Sequence, residues 1–140
     1  MNTAISKLIF AADTWPLKRW ALTITATKRR VVCEIRDENG MIETADHRCG
    51  DAEWAKLEGL LAKCNFPAWQ EEYEEPVLDG TDWHLEIQYA DGRTTKSDGM
   101  NGYPDQWRDF ATMCEYCEKI SEGEFRQKTM ILIKRTIPLL

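Results

Sequence analysis

The chain has 140 residues, 43% of them hydrophobic and 30% charged, with a net charge of −6 and six tryptophans. That length suits one domain, which can bury a core without disulfides or metal, and the composition is too apolar for a disordered chain. The acidic balance argues against a nucleic-acid partner, which would need a basic face, and no apolar run is long enough for a membrane partner to be expected.

The opening ten residues lack the basic segment, long apolar run and small-residue cleavage site of a secretory or lipoprotein signal, so a cytoplasmic location is expected. Residues 7–11 read as a short apolar strand, interrupted at Trp15-Pro16 because proline has no N–H for a ladder. Trp20, Leu22, Ile24 and Ala26 alternate with Ala21, Thr23 and Thr25, the period of a half-buried strand. Arg29-Arg30 is a turn, and the β-branched residues 31–36 make the next strand. Asp37-Glu38-Asn39-Gly40 is a second turn, because Asn-Gly tolerates positive φ, and residues 41–45 return from it to give an antiparallel meander.

A helix follows, with Asp51 as its N-cap or first-turn acid and Trp54, Leu57, Leu60, Leu61 and Cys64 as an apolar stripe ended by Pro67. Beyond Trp69 lies the acidic run Glu71, Glu72, Glu74 and Glu75, flanking Tyr73. It reads as a solvated connector, and residues 51–80 alone carry −6.

Asp79-Gly80 is a turn. Trp83, Leu85, Ile87 and Tyr89 then alternate with His84, Glu86 and Gln88, a strand with one buried and one wet face. Asp91-Gly92 turns the chain into a polar return strand over residues 93–97, and residues 98–104 form a glycine-rich loop. Pro104 occupies the first turn of a second helix, whose stripe is Trp107, Phe110, Met113, Cys114 and Cys117, closed by Gly123. Residues 129–140 read as a terminal strand.

The expected class is α+β: an antiparallel sheet with two main helices packed on one face, in a single domain over 1–140. Its parts are a meander plus helix (1–66), a hairpin plus helix (77–128) and the terminal strand. The two hairpin–helix units echo one another as ββα-like halves, with Trp20 and Trp83 opening strands and Trp54 and Trp107 heading helix stripes.

Chemistry is sparsely signposted. The five cysteines are odd in number and scattered, so a disulfide framework is not expected. Cys114 and Cys117 have dithiol spacing, but they lie well inside a helix, away from the terminus where the dipole lowers a thiol pKa. Zinc there would need His47, placed in a polar loop, and Cys49, at a spacing unlike the usual ligand pairs, so neither metal nor cofactor is expected. His84 shares its strand face with Glu86, an arrangement read as ordinary surface polarity rather than an acid/base pair. Phosphate-binding, zincin and nucleophile-elbow motifs are all absent.

The runs Asp79-Gly80-Thr81-Asp82-Trp83, Asp91-Gly92 and Gly99-Met100-Asn101-Gly102-Tyr103-Pro104-Asp105-Gln106-Trp107 together resemble a signature of uncharacterised small proteins of Gram-positive, often gut-dwelling, bacteria. The resemblance covers about 30 residues well and implies the fold layout and a bacterial origin. That group has no assigned activity, so it implies no catalytic residue. Many of its members resemble secreted or lipid-anchored forms, whereas this chain opens without a signal. Within the signature, Gly99 and Gly102 are read as supplying positive φ and Asn101 as bonding its own backbone.

The leading expectation is a non-enzymatic module that binds another protein, with an inhibitor or immunity-type protein as its specific form. Its surface would comprise Trp15 and Trp69, left outside the repeated layout, and Glu71, Glu72, Glu74 and Glu75. The alternative is a ligand-binding or catalytic pocket near Trp83, His84, Asn101 and Tyr103. Homodimerisation is expected to use the hairpin edge at residues 93–97.

Overall fold

The computed structural model describes residues 4–14, 18–75 and 81–122. Four strands come first: β1 (Ile5–Thr14), β2 (Lys18–Thr25), β3 (Arg30–Arg36) and β4 (Ile42–Arg48). Helix α1 (Asp51–Lys63) and a one-turn 3₁₀ helix (Phe66–Ala68) lead into β5 (Glu72–Glu74), and β6 (Thr81–Tyr89), β7 (Thr94–Met100) and α2 (Trp107–Ser121) complete the order. The strands form one sheet in the order β4-β3-β2-β1-β6-β7-β5, antiparallel except where β5 runs parallel to β7. The expected α+β architecture is therefore present, with both helices on the sheet.

Alternation decides which face the helices cover. Leu8, Phe10 and Ala12 of β1, Trp20, Leu22 and Ile24 of β2, Val31, Cys33 and Ile35 of β3, and Trp83, Leu85 and Ile87 of β6 are all buried. They meet Trp54, Leu57 and Leu61 of α1 and Trp107, Phe110, Met113, Cys114 and Cys117 of α2 in one core. Complete burial of each large side chain contributes about 1.5–3 kcal/mol. The opposite face carries ion pairs such as Arg19–Asp13, Arg30–Asp46 and Lys96–Glu86, all with partly exposed side chains. Such pairs are worth about 0–1 kcal/mol each, so the helix-covered face holds the fold.

One row across that face explains the placement of the tryptophans. Ala12 pairs with Trp20 on one side and Trp83 on the other, Trp83 pairs with Gly99, and Gly99 pairs with Tyr73. Large and small residues thus alternate, leaving room for each indole to lie over its small neighbour. A Cβ on Gly99 would stand 2.0 Å from Trp83 Nε1. Gly99 and Gly102 have no positive φ; glycine is needed for space, and the left-handed residue of this loop is Asn101, at φ 58°.

Several sequence expectations change. The acidic connector is an edge strand, β5, because Tyr73 packs against the core and draws its neighbours into the sheet. The loop expected over residues 98–104 begins later, since β7 continues to Met100. His47 lies in β4 rather than in a loop. Gly50 is the N-cap of α1, and of the two roles expected for Asp51 it takes that of first-turn acid. β5 covers the edge of β7 only along residues 98–100, leaving residues 94–97 as an edge among the described residues. Trp15-Pro16, the Asp79-Gly80 turn, Gly123 and the terminal strand expected at 129–140 lie outside the described residues.

Candidate functional site

Where the sheet ends beneath α1, the described residues leave a cavity of about 700 Å³ that is partly open to the surface. Its floor comes from strand ends: Ile5 at the start of β1, Ile24 near the end of β2 with Ala26 beyond it, and Tyr89 at the end of β6. A register shift between Ile5 and Lys7, opposite residues 88–89, breaks the regular pleat at this edge. The roof is one stripe of α1 and its continuation, Trp54, Glu58, Leu61, Ala62 and Asn65, spaced by three or four residues so that they share a face. Asn65 has a left-handed backbone, φ 48°, which turns the chain so that Phe66 and Pro67 close the far end.

The chemistry of the cavity is simple. Ile5, Ile24, Trp54, Leu61, Phe66 and the Tyr89 ring supply apolar walls, while the exposed Glu58 and Asn65 supply polarity. Tyr89 is only 4% exposed, and its buried hydroxyl has no hydrogen-bond partner. A buried polar group left unpaired costs about 1–3 kcal/mol, so this hydroxyl is a local weakness beside the cavity residues. Among the described residues of the lining, those that ionise are Glu58 and Tyr89, which do not make a nucleophile–base pair.

The residues expected to form a pocket near Trp83 lie elsewhere and already have partners. Trp83 is fully buried, with its Nε1 donating to Gly102 O at 2.9 Å and its ring 5.0 Å from that of Trp107. Asn101 Oδ1 accepts the Thr81 N–H at 2.8 Å. The Tyr103 ring packs at a tilt against Trp107, with centroids 4.8 Å apart, and burial holds its hydroxyl pKa up. His84 points to the opposite, exposed face and pairs with Asp98 rather than with Glu86. These residues clasp the β6–β7–α2 junction, and none of them lines the cavity.

The expected interaction surface divides. Glu71, Glu72, Glu74 and Glu75 are all exposed along the outer edge of the sheet. Trp69 is not the spare aromatic the sequence suggested. It is half-buried among Phe66, Trp83, Trp107 and Phe110, and its Nε1 donates to Cys64 O at 2.8 Å. Trp15 lies outside the described residues.

All five cysteines are free and buried. Burial pushes the Cys33 and Cys64 thiols up to about 12 and holds those of Cys114 and Cys117 well above the ordinary value, so thiolate chemistry is disfavoured there. Among the described residues, the side chains grouped closely enough to share a metal ion are His47, Cys49 and Glu53; Cys114 and Cys117 take no part.

Compared with known proteins, the chain matches no family model and no curated protein.

The cavity was hard to see in the sequence because its walls are ordinary core residues. Ile24 and Tyr89 keep strand alternation, and Trp54 and Leu61 keep helix periodicity, so nothing distinguishes a lined void from a filled core. The one available signal was Glu58 and Asn65 on the same stripe as Trp54 and Leu61.

Proposed function

We propose that the protein is a non-enzymatic binding domain that holds a small, neutral, largely apolar molecule between α1 and the sheet, with the Tyr89 hydroxyl as its polar anchor. The observation that carries this reading is a largely apolar cavity of about 700 Å³ whose lining includes Tyr89, a residue with a buried hydroxyl that has no partner within the protein. Ligand sites are typically of this kind, with apolar walls and a few placed polar groups. Glu58 disfavours anions, and phenols, indoles and aliphatic alcohols match both the walls and the hydroxyl. Native mass spectrometry of the protein purified from cells tests the reading. A bound small molecule is expected, and it should be lost in Ala62→Trp, which fills the cavity from an exposed helix position. Bare protein alone, with no uptake of added decanol or indole, would overturn it.

A second reading keeps the protein partner expected from the sequence. It is supported by the position of the four glutamates beside an edge strand, where an extended basic segment could add to β5 while its side chains meet the carboxylates. Titration with a lysine-rich peptide should then give salt-sensitive binding that Glu72→Lys abolishes. Binding unaffected by that change would remove this reading.

A further inference from the structure

The turn from β4 into α1 brings together three side chains of different chemistry. His47 is the last inward-facing residue of β4, opposite Val31, and Cys49 follows two residues later with its N–H donating to Arg29 O at 2.8 Å. Gly50 then caps α1, so Glu53 stands at the third helical position, where its Oε1 accepts the Gly50 N–H at 3.0 Å. His47 Nε2 lies 2.9 Å from the same oxygen. One ligand atom from each of the three side chains falls within 4.8 Å of the others.

We propose that His47, Cys49 and Glu53 form a site for a divalent transition metal, with Zn²⁺ as the best-matched ion. Imidazole, thiolate and carboxylate are all donors that zinc accepts, whereas magnesium and calcium seek oxygen alone. Donors around a tetrahedral zinc stand roughly 3.3–3.7 Å apart, so small side-chain rotations convert the present cluster into a coordination shell. The charges also match: one thiolate and one carboxylate neutralise a doubly charged cation. Binding releases the Cys49 thiol proton to solvent, while His47 moves its ring proton from Nε2 to Nδ1 and turns Nε2 to the metal. No described hydrogen bond uses Glu53 Oε2, so that oxygen can bind while Oε1 continues to cap the helix.

The neighbours shape this site. The Arg29 guanidinium lies near Cys49, and its positive charge opposes a cation, but it is engaged by Asp51. Cys49 is 5% exposed, whereas the His47 and Glu53 side chains are 18% and 35% exposed, so the site is closed on the thiol side and open on the other. A water completes the shell from the open side, as in zinc sites with three protein ligands. The H-x-C-x₃-E spacing is unlike the usual zinc ligand pairs because the third ligand comes from the first turn of the helix.

Titration of the full chain with Co²⁺ tests the proposal. One equivalent should produce tetrahedral d–d bands and a thiolate-to-cobalt charge-transfer band, both removed by Zn²⁺. Cys49→Ser should lose the charge-transfer band. Glu53→Gln, which keeps a side-chain oxygen for the cap, should weaken Co²⁺ binding by about tenfold or more while leaving the circular dichroism unchanged. Absence of both bands at saturating Co²⁺ overturns the proposal. So does an undiminished charge-transfer band in Cys49→Ser or unchanged affinity in Glu53→Gln.

Discussion

Gly99 shows how one missing methyl group organises this protein. The Trp83 ring occupies the space a Cβ would take, and Gly102 O, which accepts the Trp83 Nε1 proton, would lie 2.6 Å from that Cβ. Gly99→Ala must therefore displace a fully buried indole, and overpacking of this kind costs about 1–3 kcal/mol or more. Urea denaturation should show that loss, with Trp83 fluorescence shifted toward that of a wetter environment. Glu118 is a second local tension: only 1% exposed, it leaves both carboxylate oxygens without partners. Burial, aided by the negative charges of Glu115 and Glu122, raises its pKa from 4.5 to about 8. Between those values the unfolded chain gives up a proton that the folded protein keeps, so stability falls as pH rises through that window and levels off above it. Glu118→Gln removes this dependence. It should match the parent below about pH 4 and exceed it by more than about 1 kcal/mol above pH 8 in thermal or urea unfolding. A parallel pH dependence in both proteins would show that Glu118 is not the group responsible.

Among the elements, β5 depends most on distant partners. Its three residues have no apolar alternation, and Tyr73 alone points into the core. What holds the strand is Gly102, whose Cβ would come within 2.7–2.9 Å of the Tyr73 and Glu74 backbone, together with bonds from Asp98 N to Glu71 O and from Glu75 N to Met100 O. Gly102→Ala should loosen β5 selectively. Hydrogen exchange should quicken at the Asp98 and Glu75 amides while the amides of β1 and β2 stay protected; uniform change would contradict a local role. The same contrast separates what the sequence revealed from what it hid. β2, β6 and both helices were readable because their own residues carry the period of the element. The edge strand of glutamates was not, because its pairing comes from Gly99 and Gly102, some 30 residues further along the chain. The two glycines stand out in the sequence as turn formers, but neither has a positive φ; what they supply is space.

At the scale of the whole molecule, two helices cover one face of a seven-stranded sheet, and among the described residues an open cavity lies at one end of it. Trp20, Trp54, Trp83 and Trp107 are core residues, as their positions in the alternation indicated. Trp69 joined them because a 3₁₀ turn, invisible to periodicity, folds it back over Phe110. The candidate site suffered the reverse problem: its residues were legible as core, but a missing volume has no sequence signature. Tyr89→Phe separates a defect in packing from a binding site. Removing the orphan hydroxyl should raise stability by about 1 kcal/mol and yet weaken ligand binding by roughly tenfold. Stability and affinity rising together would point to a simple flaw in the core.

The most direct measurement is a heteronuclear NMR titration of the intact protein with 1-decanol and, separately, indole. Saturable shifts confined to Ile5, Ile24, Leu61 and Tyr89, and reduced in Tyr89→Phe, are expected if the cavity is a ligand site. Absence of saturation with either compound, or shifts spread over the ion-paired outer face of the sheet instead, would contradict it.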